Sequence, residues 1–276
     1  MNVSKIGRYE IESELATGGM GVIILAKDPY IQRQVVIKVL MYSRTLEDIY
    51  REFFQNEAEV IAALEHPCIV PIYDFGWHGQ QPYIVMRYMA GGSLQDRLDK
   101  GDIKLTEMAH ILKRVGDALD AAHAKGIIHR DIKPSNILFD ASGESFLSDF
   151  GIATSKSIKD DDGEWLVGTP AYMSPEQARG AHVDARSDVY SLGVTLYRLL
   201  AGQLPFSSDS ATSLINSHAK MPIPDIRSVK SNIPAVWQEV VAKAMAKEPD
   251  DRYATAGDFA RDVNEVVSGK WYLRKL

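Results

Sequence analysis

Cysteine is nearly absent from this 276-residue chain: Cys68 stands alone, which excludes an internal disulfide or a cluster of cysteine metal ligands and fits a reducing compartment. Long apolar runs are missing too. No stretch reaches the roughly twenty uninterrupted apolar residues of a membrane-spanning helix, and Met1 to Tyr9 is too polar for a secretory leader. Basic charge is in deficit, with 31 Lys and Arg against 37 Asp and Glu, so there is no overall basic footprint for nucleic acid. No internal repeat or low-complexity tract is present. The remainder, 45% hydrophobic and 25% charged, is that of an ordinary globular protein with one large core or two smaller ones. The expectation is a cytoplasmic protein, and it leaves open a longer natural chain that continues past Leu276 into a membrane anchor.

The densest concentration of chemistry is Ile127 to Asn136, Ile-Ile-His-Arg-Asp-Ile-Lys-Pro-Ser-Asn. The carboxylate of Asp131 can accept the proton of an attacking hydroxyl, and Lys133 can neutralise charge on a group in transfer. Asn136 can offer an amide oxygen to a hard cation such as Mg²⁺. Such residue types are also common in plain surface loops, and composition alone leaves that reading open. Order and spacing follow H-R-D-x-x-x-x-N throughout. On those residues the stretch resembles the catalytic loop of a protein kinase, and Asp131-Ile132-Lys133-Pro134 resembles the serine/threonine type more than the tyrosine type.

Other segments extend the resemblance. Tyr9–Leu15 and Val22–Lys27 read as strands around Ala-Thr-Gly-Gly-Met-Gly, where Gly18, Gly19 and Gly21 either serve a hairpin turn or let the backbone approach a phosphate chain. The β-branched run Val35–Val39 follows, and Val35-Val36-Ile37-Lys38 resembles the kinase strand whose lysine meets the α- and β-phosphates. Two departures stand out: Ala16 occupies the place of the family's first loop glycine, and Val36 that of the alanine against the adenine ring. A helical stripe from Leu46 to Leu64 carries Glu57, whose spacing after Lys38 resembles the glutamate that holds the strand lysine. Ile69–Tyr73 and Pro82–Tyr88 read as two further strands, and Met89 to Leu94 as a hinge. The resemblance makes Met86 the gatekeeper and gives the adenine edge to the backbone of Arg87, unusual for an acidic position, and of Met89. It also places Leu15, Ile23 and Leu138 around the nucleotide.

Downstream, Thr106–Lys125 has one apolar face and Gly126 as a stop. Asp149-Phe150-Gly151 resembles the family's metal-binding tripeptide, so that Asn136 and Asp149 would hold the metal. Ile152 to Val167 is polar and without period, and reads as a loop. Its acidic run Asp160, Asp161, Asp162 and Glu164 is either plain solvated loop or a carboxylate substitute for phosphate on Arg130. Gly168 to Glu176 resembles the G-T-x-x-Y-x-x-P-E segment, with Ser174 for alanine, and Glu176 is expected to pair with Arg252. Ser187–Ala201 is apolar on almost every side and reads as a buried helix, with Asp188 placed to anchor the catalytic loop. Helices around Ser210–Lys220, Ala235–Lys247 and Thr255–Val267 complete the chain.

The resemblance covers Tyr9 to about Val267 and looks most like bacterial, eukaryotic-like (Hanks-type) serine/threonine protein kinases. It implies an α+β, two-lobed fold: residues 1–89 form a five-stranded antiparallel lobe with one helix, residues 90–276 a mainly helical lobe, and ATP lies in the cleft. The implied activity transfers the γ-phosphate of Mg-ATP, with Mn²⁺ as the alternative ion, to Ser or Thr of proteins, itself included. Asp131 would be the base, with Lys133, Asn136, Lys38 and Glu57 completing the catalytic set. Implied partners are ATP, protein substrates and a second copy for trans-autophosphorylation, with neither nucleic acid nor a membrane span. Rival readings are a pseudokinase scaffold, a small-molecule phosphotransferase sharing the Asp and Asn, and a non-catalytic docking module.

Overall fold

The computed structural model describes residues 4–18, 21–40, 47–101, 103–150, 157–159, 165–167 and 169–271. The chain divides into two compact units, residues 1–90 and 91–276.

The first unit is an antiparallel sheet of β1 (Lys5–Ile6), β2 (Tyr9–Gly18), β3 (Gly21–Asp28), β4 (Arg33–Leu40), β5 (Ile72–His78) and β6 (Gln81–Arg87) in the order β1-β2-β3-β4-β6-β5, with one helix, α1 (Glu47–Ala62). Six strands replace the five expected. The extra one is two residues long, too short to carry a period, and pairs Ile6 with Tyr9 and Lys5 with Glu10. β5 also lies further along than the expected Ile69–Tyr73. Its register is set by the two-residue turn after His78, where Gly79 has φ 62°, and Asp74 and Gly76 are accommodated within the strand, with a bulge between Ile72 and Asp74.

Strand alternation sorts this sheet into two faces. Val35, Ile37, Val39, Ile24, Ala26, Tyr83 and Val85 form the core with Ile6 and Tyr9. The opposite face carries Val36 and Lys38, whose register partners are Leu25 and Met86 for Val36, and Ile23 and Ile84 for Lys38. On α1, Phe54, Ala58 and Ile61 are buried, and the Phe54 ring stands edge-on to Phe75 and Trp77 of β5.

The second unit contains α2 (Leu94–Lys100), α3 (Leu105–His123), β7 (Ile137–Phe139), β8 (Ser145–Leu147), β9 (Ser157–Lys159), β10 (Trp165–Val167), α4 (Pro175–Ala178), α5 (Ala185–Ala201), α6 (Ala211–Lys220), α7 (Ile226–Val229), α8 (Val236–Ala244) and α9 (Ala256–Val267). The β7–β8 and β9–β10 pairs are antiparallel, so the segment read as an aperiodic loop holds a short ladder. Its strands are three residues each, below the length at which alternation registers.

α5 is the axis of this unit. It starts at Asp184, whose side chain accepts the Arg186 N–H at 2.8 Å, stops at Gly202 with φ 79°, and is buried on nearly every side between. A Cβ on Gly193 would come within 2.8 Å of Ala244 and Met245, so glycine is what lets α8 pack this closely. α3 buries Met108, Ile111, Leu112, Val115, Leu119 and Ala122 and ends in bonds from Gly126 N–H to His123 O and Ile127 N–H to Ala122 O, which deliver the chain directly into Ile127–Asn136.

Candidate active site

In the second unit, Asp131, Lys133 and Asn136 converge as their spacing predicts. Asp131 is buried, and its Oδ2 lies 2.9 Å from Lys133 Nζ and 3.2 Å from Asn136 Nδ2. Asn136 Nδ2 also donates to the Asp131 carbonyl at 2.7 Å. A residue that sequence reasoning passed over completes the set: the Thr169 hydroxyl donates to Asp131 Oδ1 at 2.8 Å and accepts from Lys133 Nζ at 2.6 Å. Thr169 lies 38 residues away in the chain, and its only signal was its place beside Gly168 in a motif already noted.

The backbone of this loop is held by Asp188, which is fully buried at the first turn of α5. Asp188 Oδ2 accepts the His129 N–H at 2.9 Å and faces His123 Nε2 at 2.7 Å, while Oδ1 accepts the Arg130 N–H at 2.8 Å. Arg130 sits at φ 65°, a region costly for a side chain of this size and common at functional sites. His129 is buried, and burial pushes its imidazole below its usual pKa. The neutral ring fits both partners: Nε2–H donates to Ser148 O at 2.8 Å, and Nδ1 accepts the Asp131 N–H at 3.3 Å. Its centroid lies 4.7 Å from that of Phe150, itself buried.

Asp149 follows Ser148, whose N–H and hydroxyl both donate to the Asn136 carbonyl at 2.9 Å. Asp149 has φ 63°. With Asn136 Nδ2 committed to Asp131, the amide oxygen is the end left to face a cation. An amide oxygen and a carboxylate are hard donors that suit Mg²⁺ or Mn²⁺ when phosphate oxygens and water supply the rest. Among the described residues, no group of three or more His, Cys, Asp or Glu is placed to hold a metal, and a two-residue site of this kind requires none.

Glu176 and Arg252 form the expected pair. Arg252 donates Nη1 and Nη2 to the two carboxylate oxygens, each at 2.7 Å, and both side chains are buried. The remaining guanidinium N–H groups reach the carbonyls of Ala246, Arg186 and Lys247. Burial alone would raise the Glu176 pKa, but the bonds from Arg252 and the Ser187 hydroxyl hold it below the ordinary carboxylate value.

In the first unit, Lys38 is buried on β4 and Glu57 half-buried on α1. Ile23, Val36, Lys38 and Met86 share the non-core face of the sheet, and Leu15 is exposed at a bulge in β2. The Arg87 N–H donates to Pro71 O at 3.1 Å, and Met89 is buried. The two readings of the glycines separate here. Gly21 has φ 133°, and a Cβ would lie 1.9 Å from Val39 O, so the fold itself demands glycine there. A Cβ on Gly18 would meet nothing within 4 Å, so the fold does not explain that glycine. Leu138, on β7 of the second unit, is half-buried. Gly19, Gly151, Thr154, Ser155, Asp160, Asp161, Asp162, Glu164 and Gly168 lie outside the described residues.

Comparison with known proteins places this arrangement among others. The family model described as protein kinase domain matches residues 9–271. The chain is 37% identical to the serine/threonine-protein kinase PrkC of Bacillus subtilis, with 93% of this chain and 40% of that protein covered. It is 41% identical to the serine/threonine-protein kinase PknB of Mycobacterium leprae, covering 95% and 43% respectively. It therefore spans about two fifths of these relatives' length. The crystal structure of the PknI kinase domain of Mycobacterium tuberculosis superposes with a TM-score of 0.78 at 29% identity, covering 97% of this chain and all of that one.

Proposed function

Because the chain belongs to the protein kinase domain family, with its two-lobed α+β fold, we propose that it transfers the γ-phosphate of ATP to serine and threonine hydroxyls of proteins. The observation that carries this reading is the four-residue network of Asp131, Lys133, Asn136 and Thr169. Asp131 accepts the proton of the substrate hydroxyl as its oxygen attacks the γ-phosphorus and the bond to the β,γ-bridging oxygen breaks, leaving ADP. Lys133 stands 2.9 Å from that carboxylate, close enough to meet charge developing on the transferred group. Protein kinases use ATP with a divalent metal, and here Asn136 and Asp149 would hold Mg²⁺, which would neutralise phosphate charge when bound. Lys38, with Glu57 as its partner, positions the α- and β-phosphates, and Gly18, Gly19 and Gly21 bring backbone N–H groups to them. On this reading Ile23, Val36 and Met86 of the first unit and Leu138 of the second would be nucleobase contacts, with Leu15 and the backbone of Arg87 and Met89 as further nucleotide contacts.

No helix among the described residues is long and apolar enough to cross a membrane. We place the activity in a cytoplasmic signalling domain of a bacterial kinase whose substrates include a second copy of itself. The test is incubation with γ-labelled ATP, Mg²⁺ and a generic protein substrate, for the parent and for Lys38→Met. Label on serine or threonine with the parent, and none with a folded Lys38→Met, is expected, since losing a phosphate-orienting group removes transition-state stabilisation. Nucleotide-dependent heat stabilisation without label would favour the pseudokinase alternative.

A further inference from the structure

Gln177, the third residue of α4, uses the two ends of its amide for two different tasks. Its Oε1 accepts the Ser174 N–H at 3.0 Å while its own N–H donates to Ser174 Oγ at 3.3 Å, closing a capping box at the helix start. Its Nε2 points away from that box and donates to the carbonyl of Arg130 at 2.9 Å, 47 residues earlier. Capping boxes accept glutamate as readily as glutamine at this position, because only the oxygen is used. The cap therefore does not account for the amide nitrogen.

What the nitrogen holds is the peptide plane directly before Asp131. The Arg130 carbonyl and the Asp131 N–H belong to one rigid unit. On its N–H side that plane meets His129, with Asp131 N–H donating to His129 Nδ1 at 3.3 Å. On its carbonyl side it has Gln177. Arg130, at φ 65°, is thus held in an unfavourable backbone region from both ends, by Asp188 on the N–H and Gln177 on the carbonyl. Thr169, from the same segment as Gln177, holds the Asp131 carboxylate itself.

We propose that Gln177 is a positioning residue for the Asp131 carboxylate, acting through the Arg130 carbonyl and coupling the order of the Thr169–Gln177 segment to phosphate transfer. The proposal rests on Asp131 being the base. Two variants separate it from the cap. Gln177→Glu keeps the capping oxygen and loses the donor, and Gln177→Met loses both without adding charge. We expect each to lower kcat about 5- to 10-fold, the size of one hydrogen bond, with KM for ATP within about twofold of the parent. The melting temperature should fall further for Gln177→Met, which also loses the cap, than for Gln177→Glu. Amide hydrogen exchange of residues 127–136, measured without nucleotide, should quicken in both. A cap role alone would impair Gln177→Met and spare Gln177→Glu; an effect of charge alone would do the reverse; either result, or parent behaviour in both, overturns the proposal. Should the parent transfer no phosphate, the kinase reading fails, and the exchange comparison by itself decides whether Gln177 holds the loop.

Discussion

The catalytic loop and the glycine-rich hairpin are secured by opposite means. In the loop, groups are held by side chains from distant parts of the sequence, Asp188 on two N–H groups, Gln177 on a carbonyl and Thr169 on the carboxylate, with Lys133 of the loop itself beside that carboxylate. In the hairpin, β2 and β3 are joined by their backbone ladder, and β2 is exposed from Glu12 to Gly18. A carboxylate that must be aimed at one oxygen needs its rotamer and its peptide plane fixed from outside. On the proposed function, a hairpin that is to meet phosphates through N–H groups needs backbone left uncovered. Changes in the loop should therefore appear in turnover, and changes in the hairpin in nucleotide affinity and local stability.

The largest expected effect is Asp131→Asn, which should lower kcat by about 10²- to 10⁴-fold, the range for a positioned base, while ATP affinity measured by titration stays near the parent value. Equal losses in both quantities would erase the contrast between the two regions. Glu176→Ala comes next and acts on stability. It leaves Arg252 charged and buried, and urea denaturation should show a loss of about 3–5 kcal/mol. The sign of its pH dependence follows from the depressed folded pKa: Glu176 stabilises above its ordinary value of 4.5 and loses that contribution as pH falls through the lower folded value. Acid titration of the melting temperature should therefore be flatter in Glu176→Ala than in the parent.

Thr169→Ala removes one bond to a carboxylate and one from an ammonium, and should lower kcat about 10- to 100-fold, with Thr169→Ser recovering most of it in the same assay. The smallest effect is expected in the hairpin. Ala16→Gly restores the family's usual residue but places a glycine within a strand, so chemical denaturation should show about 0.5–1 kcal/mol of lost stability with kcat unchanged. A large change in kcat from Ala16→Gly would mean that the hairpin shares the loop's positioning role.

What was legible in the sequence divides along a physical line. Asp131, Lys133 and Asn136 fall within one turn of chain, so spacing alone brings them together. Asp188 and the Glu176–Arg252 pair were legible because an acid in a helix apolar on almost every side, or a motif glutamate matched by a motif arginine, has few ways to be satisfied. Thr169 and Gln177 were missed as partners of the loop because a hydroxyl and an amide satisfy themselves almost anywhere, and their targets lie 38 and 47 residues away. α2 was missed although Ser93 and Asp96 form a capping box, since the glycines before it read as a hinge. β1 and the shifted β5 escaped because register is decided by pairing with a neighbour, which a single strand's pattern does not encode.

The most direct measurement is a single-turnover mixing of the parent chain with γ-labelled ATP and Mg²⁺ in the presence of a protein substrate, followed by analysis of the phosphorylated residue. Label is expected on serine or threonine, appearing in the parent and slowed at least about a hundredfold in Asp131→Asn. ATP bound but recovered intact, or label transferred equally fast by Asp131→Asn, would contradict it.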